Sequence, residues 1–443
     1  MRVSSRLVVV ATAGLMLGLT ATGSQAATVI DPLVGNEGFL VLVEQDAQFW
    51  AHEVEGTVAV GGDLLVGGNF TTLTQSTNPF TIPGDGAPTA LIVNGKVDLA
   101  NSTAGVEMHV TGGGYMKIGD LSGVVVRDTD NNNASALTRL VPADDYNAKP
   151  DVEVAVHQPA SSVGPTVPLD VAGLFPTYRS ISTQLATICP ENVTPTNSAG
   201  NPLTSPYAPG TRAFVTLTPG EANIWNVSAA DLNNVTELTF TNQPTADTPL
   251  IVNVDTTGVG GDFAWDSPTL PGVDSLQAPY ILWNFPDATS LQHVGGDSLE
   301  GTLYAPRADF VDLDPSNIEG AVVVKSLVMG SGRVDGGEVH LFPFAATIEC
   351  EDVSPTPSPT ISGSIIPGPT PSHFPTPSGS VTPSSSGPIP SGSSSSEPVP
   401  SPSGPTLPDT GQPVVYIGAT SLGLLMAGAA FLIVGRRRRD WSR

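Results

Sequence analysis

The chain has 443 residues and a mass of 45.5 kDa, and only 13 % of it is charged, against about 25 % in an average soluble protein. Its formal net charge is −25, and between residues 28 and 410 only 10 basic side chains face 41 acidic ones. That balance excludes nucleic acid and anionic membrane surfaces as partners, because both need clustered Lys and Arg.

Residues 1–26 are predicted to be a secretory signal peptide. Arg2 and Arg6 form its positive start, Leu7 to Leu19 is an apolar run too short to span a membrane, and Ser24-Gln25-Ala26 supplies the small residues of a cleavage site. The chain that follows is then extracellular, which suits its carboxylate-rich composition.

Residues 28–352 read as one β-rich body, because Gly, Val, Thr and Asn outweigh helix formers. Short apolar runs alternate with Gly corners, most clearly from Gly56 to Asn69. Gly-Gly-Asp recurs at Gly260-Gly261-Asp262 and Gly295-Gly296-Asp297, with Gly336-Gly337-Glu338 a near relative. Strands of three to five residues between such corners fit a right-handed β-solenoid, with Gly allowing positive φ at each bend; they also fit a sandwich with tight hairpins. The solenoid is preferred, since several strands are apolar without alternation. One segment differs. Val171, Leu174, Tyr178, Ile181, Leu185 and Ile188 form one face of an amphipathic helix, which Asp170 would cap. Pro176 would move the start to near Phe175, but the helix is expected near residues 170–188. Such a helix would cover an apolar face of the sheet.

Cys189 and Cys350 are the chain's two cysteines, both in the exported part, and are expected to form one disulfide. It would tie the end of the helix to the end of the body, for about 5 kcal/mol in the ideal loop-entropy account.

Several motifs carry a family resemblance: Asn36-Glu37-Gly38-Phe39 leading to Val54–Asp63, Leu250–Val254, Leu282–Thr289, Gly301–Ala308 and Ile318–Val324. Together they resemble the choice-of-anchor A domain, across nearly all of residues 33–347. The resemblance implies an adhesive β-solenoid, distantly similar to ice-binding-protein-like domains, displayed on exported proteins with varied anchors. It implies no catalytic residue and leaves the ligand undefined. The residues agree. There is no H-E-x-x-H, no G-x-S-x-G elbow and no Walker loop, and carboxylate pairs such as Asp144/Asp145 read as a solvated face. Asp128 to Asn133 opens like a calcium loop, but Asn133 stands where an EF-hand needs Gly and Arg139 where it needs a bidentate Glu. A polar turn is expected there, and neither cofactor nor metal is assigned.

Residues 353–406 hold 15 Pro and 17 Ser with almost no charge, too little apolar surface to offset ordering entropy, and are predicted to be a disordered linker. Leu407, Pro408, Asp409, Thr410 and Gly411 follow, then the uncharged run Val414 to Val434, about 31 Å long as a transmembrane helix, and Arg436 to Arg439. The three parts in this order resemble the LPXTG sorting signal of Gram-positive wall proteins. The resemblance implies that a sortase cleaves between Thr410 and Gly411 and joins Thr410 to a peptidoglycan amine. The sequence therefore predicts a wall-anchored adhesion module for an extracellular glycan or protein. A structural surface protein and a glycan-active β-helix enzyme are the alternatives.

Overall fold

A computed structural model of the chain describes residues 28–350, apart from residues 51, 77 and 78. The signal peptide (1–26), linker (353–406), pentapeptide Leu407–Gly411 and apolar run 414–434 lie outside the described residues. Among the described residues no helix is long and apolar enough to cross a membrane. The fold is mainly β, with few helices.

Its strands fall into three ladders. The first runs, in spatial order, through Tyr115–Asp120, Thr89–Lys96, Val58–Val60, Val41–Val43, Val322–Met329, Thr302–Asp312, Ile281–Asn284, Leu250–Asp255 and Asn223–Ser228, every pair parallel. The second stacks Asp262–Ser267, Ser290–Gly296, the far halves of Thr302–Asp312 and Val322–Met329, Ala47–Phe49 and Leu64–Val66, again in parallel. The third contains Asp151–Val154, Glu107–Val110, Phe70–Gln75 and Glu53–Gly56; Val339 bridges it, through Val54 and Ile318, to the pair Ile318–Glu319 and Leu299–Glu300. From Val41 to Gln75 the chain visits the ladders in the order first, second, third, twice over, and repeats that order from Ile281 to Glu319. Val125–Thr129 and Ser135–Val141 break the rule as an antiparallel hairpin. Stacking order is not chain order. The last strands, Val322–Met329, lie against the first, Val41–Val43 and Ala47–Phe49.

The Gly corners work partly for another reason than the expected one. Gly260 and Gly261 do have positive φ (72° and 79°), but Gly61, Gly62, Gly67 and Gly68 do not. At those four the neighbouring coil is too close for a side chain. A Cβ on Gly61 would lie 2.2 Å from Glu44 O, and one on Gly68 1.8 Å from Trp50 O. The Asp of the motif binds the next coil at Asp63, whose Oδ1 accepts from Lys96 N (2.9 Å), and at Asp262, whose Oδ1 accepts from Ser290 Oγ (2.8 Å). Asp46, beside Asp63 in the stack but outside the motif, accepts from Asp63 N (2.8 Å).

The long helix spans Val171–Thr187, its start capped by Asp170 Oδ1 accepting from Gly173 N at 3.0 Å. It therefore begins at the predicted cap, and Pro176 does not move its start to Phe175. Pro176 faces solvent, so water can take the helix carbonyl that Pro leaves unpaired. Val171, Phe175, Tyr178, Ile181, Ser182 and Leu185 are buried against the first ladder. Phe175 and Ser182 replace Leu174 and Ile188 of the predicted stripe, both of which are half-buried. Three asparagines in register on adjacent strands fix the contact. Asn253 Nδ2 donates to Asn226 Oδ1 and to Leu185 O (both 2.9 Å). Asn284 Nδ2 donates to Asn253 Oδ1 (2.8 Å) and Ser182 O (2.9 Å), while Ser182 Oγ donates to Asn284 Oδ1 (2.6 Å). Just beyond the helix, Cys189 is bonded to Cys350, with Cα atoms 4.9 Å apart. Cys350 closes the strand Ile348–Cys350, which pairs antiparallel with Thr28–Ile30.

Asn284→Ala leaves Asn253 Oδ1 and both Ser182 oxygens short of partners in a dry interface. It is expected to destabilise the protein by about 3 kcal/mol. Asn226→Ala, at the exposed end of the same row, should cost under about 1 kcal/mol. Denaturant unfolding of the two variants measures the difference, and equal losses would mean that the row does not hold the helix.

Candidate functional site

The first ladder is buried on both sides, so the surfaces open to a partner are the outer sides of the other two. On the second, Ala264, Gln292, Val311, Val328, Gln48 and Leu65 stand side by side in unbroken register. Five strand spacings make this row about 24 Å long. Its members are half-buried or exposed, and none is charged, in a chain of net charge −25. Short apolar side chains and two amides on a parallel sheet make a flat, ordered strip. Such a strip offers van der Waals contact and amide hydrogen bonds, and no nucleophile or titratable group.

The third ladder is the opposite in character. His340 lies between its two parts, with Nδ1 2.9 Å from Glu319 Oε2 and Nε2 3.3 Å from Glu338 Oε2. Glu55 Oε2 accepts from Leu341 N at 3.2 Å, and Glu300 pairs in register with Glu319. Burial by itself would lower the affinity of His340 for its proton, but the hydrogen bond and charge of Glu319, with Glu338 and Glu55, outweigh it and raise it. Glu300 is pushed up to about 7, first by burial and then by Glu319, Asp297 and Asp274, with His340 opposing. Burial, Glu338 and Glu55 likewise raise Glu53. Among the described residues no group of three or more His, Cys, Asp or Glu has the arrangement to hold a metal ion.

A third group lies inside. His293 Nδ1 is 3.2 Å from Asp312 Oδ1 and Nε2 is 3.1 Å from Ser267 Oγ, the order of a nucleophilic serine relay. His293 is 1 % exposed, Asp312 0 % and Ser267 5 %. Ser267 Oγ also donates to Asp297 O and accepts from Asp297 N at 3.1 Å, so its proton is already committed. Gly296 lies over it, where even a Cβ would be 2.6 Å from the oxygen. No acyl group can reach this serine; His293 pairs with Asp312 Oδ1 beneath the row, while Asp312 Oδ2 accepts no hydrogen bond.

Of the residues singled out in the sequence, Cys189 and Cys350 are brought together as described, while Leu407, Pro408, Asp409, Thr410 and Gly411 lie outside the described residues. The segment from Asp128 to Asn133 forms the hairpin turn. There Asp130 Oδ1 accepts from Asn132 N (2.8 Å) and Ala134 N (2.9 Å), which occupies the oxygen a cation would need. Sequence reasoning did not find the uncharged row, the His340 cluster or the Ser267–His293–Asp312 group. Their members come from separate coils of unequal length and leave no local motif.

Residues 32–341 match the family described as "Putative Ice-binding-like adhesive domain", and residues 399–440 match the LPXTG cell wall anchor motif. Among curated proteins there is no match.

The third-ladder cluster sets a pH dependence. Glu300, raised from 4.5 to about 7, holds its proton in the folded state across that window, so stability falls as pH rises through it. His340, also raised, stabilises the fold below its ordinary value of 6.5 and loses that contribution as pH rises through its folded value. The two act in one direction. Thermal unfolding is expected to give a higher midpoint near pH ~5 than near pH ~8, with Glu300→Gln flattening the difference. A midpoint that rises from pH ~5 to ~8 in wild type would contradict this assignment.

Proposed function

Because the chain belongs to the ice-binding-like adhesive domain family and carries an LPXTG anchor motif, it is a secreted, cell-wall-anchored extracellular protein, and we propose that residues 28–352 act as its adhesion module. The observation that carries this reading is the joining, in one chain, of a family match over 32–341 with a wall anchor over 399–440. The three parallel ladders visited in cyclic order support a right-handed β-solenoid, since parallel crossovers are right-handed in nearly all cases. The uncharged row on the second ladder is the adhesive surface. Its flatness and length suit an extended glycan or a flat protein face, and its lack of charge avoids the desolvation that carboxylates would impose.

The remaining segments serve export and display. Residues 1–26 direct secretion, and the apolar run 414–434 with Arg436–Arg439 holds the precursor in the membrane. Sortase cuts between Thr410 and Gly411, peptidoglycan takes the Thr410 carbonyl, and residues 353–406 form the stalk that carries the module outward.

Two experiments test the reading. In the producing cell, wild-type protein should be released by wall hydrolases alone and Thr410→Ala should stay in the membrane fraction; extraction of mature wild type by detergent would overturn wall attachment. On a glycan and matrix-protein array, the mature chain should bind specifically without turnover. Val311→Arg, in the middle of the row, should weaken capture at least about tenfold with an unchanged unfolding midpoint. Depolymerisation of an arrayed glycan would replace the adhesive reading with an enzymatic one.

A further inference from the structure

The chain has four lysines, and one of them is out of water. The side chains of Lys96, Lys149 and Lys325 are 35 %, 25 % and 32 % exposed, that of Lys117 only 3 %. Lys117 lies on Tyr115–Asp120, the end strand of the first ladder, beside Ile92. Its one close charged neighbour is Asp85, 8 % exposed, in a turn closed by Asp85 N donating to Ile82 O at 3.0 Å. Nζ stands 2.7 Å from Asp85 Oδ2, yet the approach lacks hydrogen-bond geometry, and Oδ2 is a buried acceptor without a hydrogen bond. The hydrogen bond that Nζ does make runs to Ser162 O at 2.5 Å. The ring of Tyr115, centred 5.7 Å away, walls another side.

As an ion pair this site is badly built. A buried pair repays its desolvation only with good geometry and with hydrogen bonds for the remaining donors and lone pairs. Here an ammonium with three N–H donors meets one well-placed acceptor, and the carboxylate oxygen facing it accepts nothing. A secondary amide fits the same atoms: one N–H, one acceptor in Ser162 O, and no charge left to bury. We propose that Lys117 Nζ and Asp85 Cγ condense to an intramolecular amide, a second covalent cross-link beside the Cys189–Cys350 disulfide.

The step balances without a co-reactant. Nζ passes a proton to the carboxylate, the freed amine attacks Cγ, the C–O bond to the protonated oxygen breaks, and that oxygen leaves as water with the second proton from Nζ. Held contact between amine and carboxyl replaces an encounter in solution, which is where intramolecular reactions gain most of their rate. The bond pins the turn before Thr89–Lys96 to the end strand of the ladder, whose outer edge is otherwise held only by non-covalent contacts such as those of Gln158 with Met116.

Mass spectrometry of the folded, purified full-length wild-type chain, reduced and then denatured, decides the matter. The intact mass should fall short of the processed sequence by one water. Trypsin should not cut after Lys117, and a branched peptide should join the segments holding Asp85 and Lys117. Lys117→Arg and Asp85→Ala should each restore the full sequence mass. Asp85→Asn should form the same amide with loss of ammonia, giving the wild-type mass. If Lys117 in most wild-type molecules is cut by trypsin and its amine takes an acylating label after denaturation, the cross-link does not form. That result needs no variant to fold.

Discussion

The outer side of the first ladder carries a long apolar stretch of its own, and the rest of the architecture answers the need to cover it. Leu42, Ala59, Ile92 and Val323 point away from the interior enclosed by the ladders, yet each is fully buried. A parallel ladder buried on both sides reads as an unbroken apolar run, which is why Val41–Val43 and Val58–Val60 show no alternation. The helix Val171–Thr187 is the cover. Placing it there separates the strands before residue 154 from those after 211, and it accounts for the late strands Val322–Met329 returning to lie against the first ones.

Covering a sheet with a helix brings backbone carbonyls into a dry seam, and the side chains beneath are chosen accordingly. Asn253 and Asn284 spend their amides on Leu185 O and Ser182 O while bonding each other. Each amide is satisfied along the stack and toward the helix at once, which an apolar residue of equal size could not achieve. Beneath the second ladder His293 links Asp312 Oδ1 to Ser267, and the Asp297 backbone closes the chain of contacts. Groups with reactive names need not be reactive, because what decides is whether a substrate can reach them.

Much of this was legible in the residues, and the losses have physical causes. The helix is legible because a 3.6-residue spacing survives whatever the helix covers, and its start at the Asp170 cap holds because Pro176 faces solvent. Gly-Gly-Asp marked the corners correctly, but the reason at Gly61 and Gly68 is contact with the coil below, which no single coil's sequence contains. The row from Ala264 to Leu65 was hidden for the same cause. Its six members come from six strands, in the spatial order 264, 292, 311, 328, 48, 65, and the step from 328 to 48 jumps from the last coil of the body to its first.

That jump bears on how the molecule carries force. Wall attachment lies on the C-terminal side of Cys350, so tension from the wall reaches the described body at that residue. The disulfide passes it directly to Cys189 at the end of the helix, 161 positions earlier. Everything between the two cysteines lies on a closed covalent ring, and a pull on the C-terminal end cannot draw that ring out as extended chain. The short antiparallel pair Thr28–Ile30 and Ile348–Cys350, which would otherwise be first to peel, is bypassed in the same way. Four of the six residues in the uncharged row, Ala264, Gln292, Val311 and Val328, stand on the ring; Gln48 and Leu65 stand outside it and are held to it by strand pairing and core packing, without a covalent cross-link. The surface is thus split between a part that the disulfide protects and a part that relies on the seam between the first and last coils. That seam, where Val328 meets Gln48, is the place along the row that the disulfide leaves without covalent support.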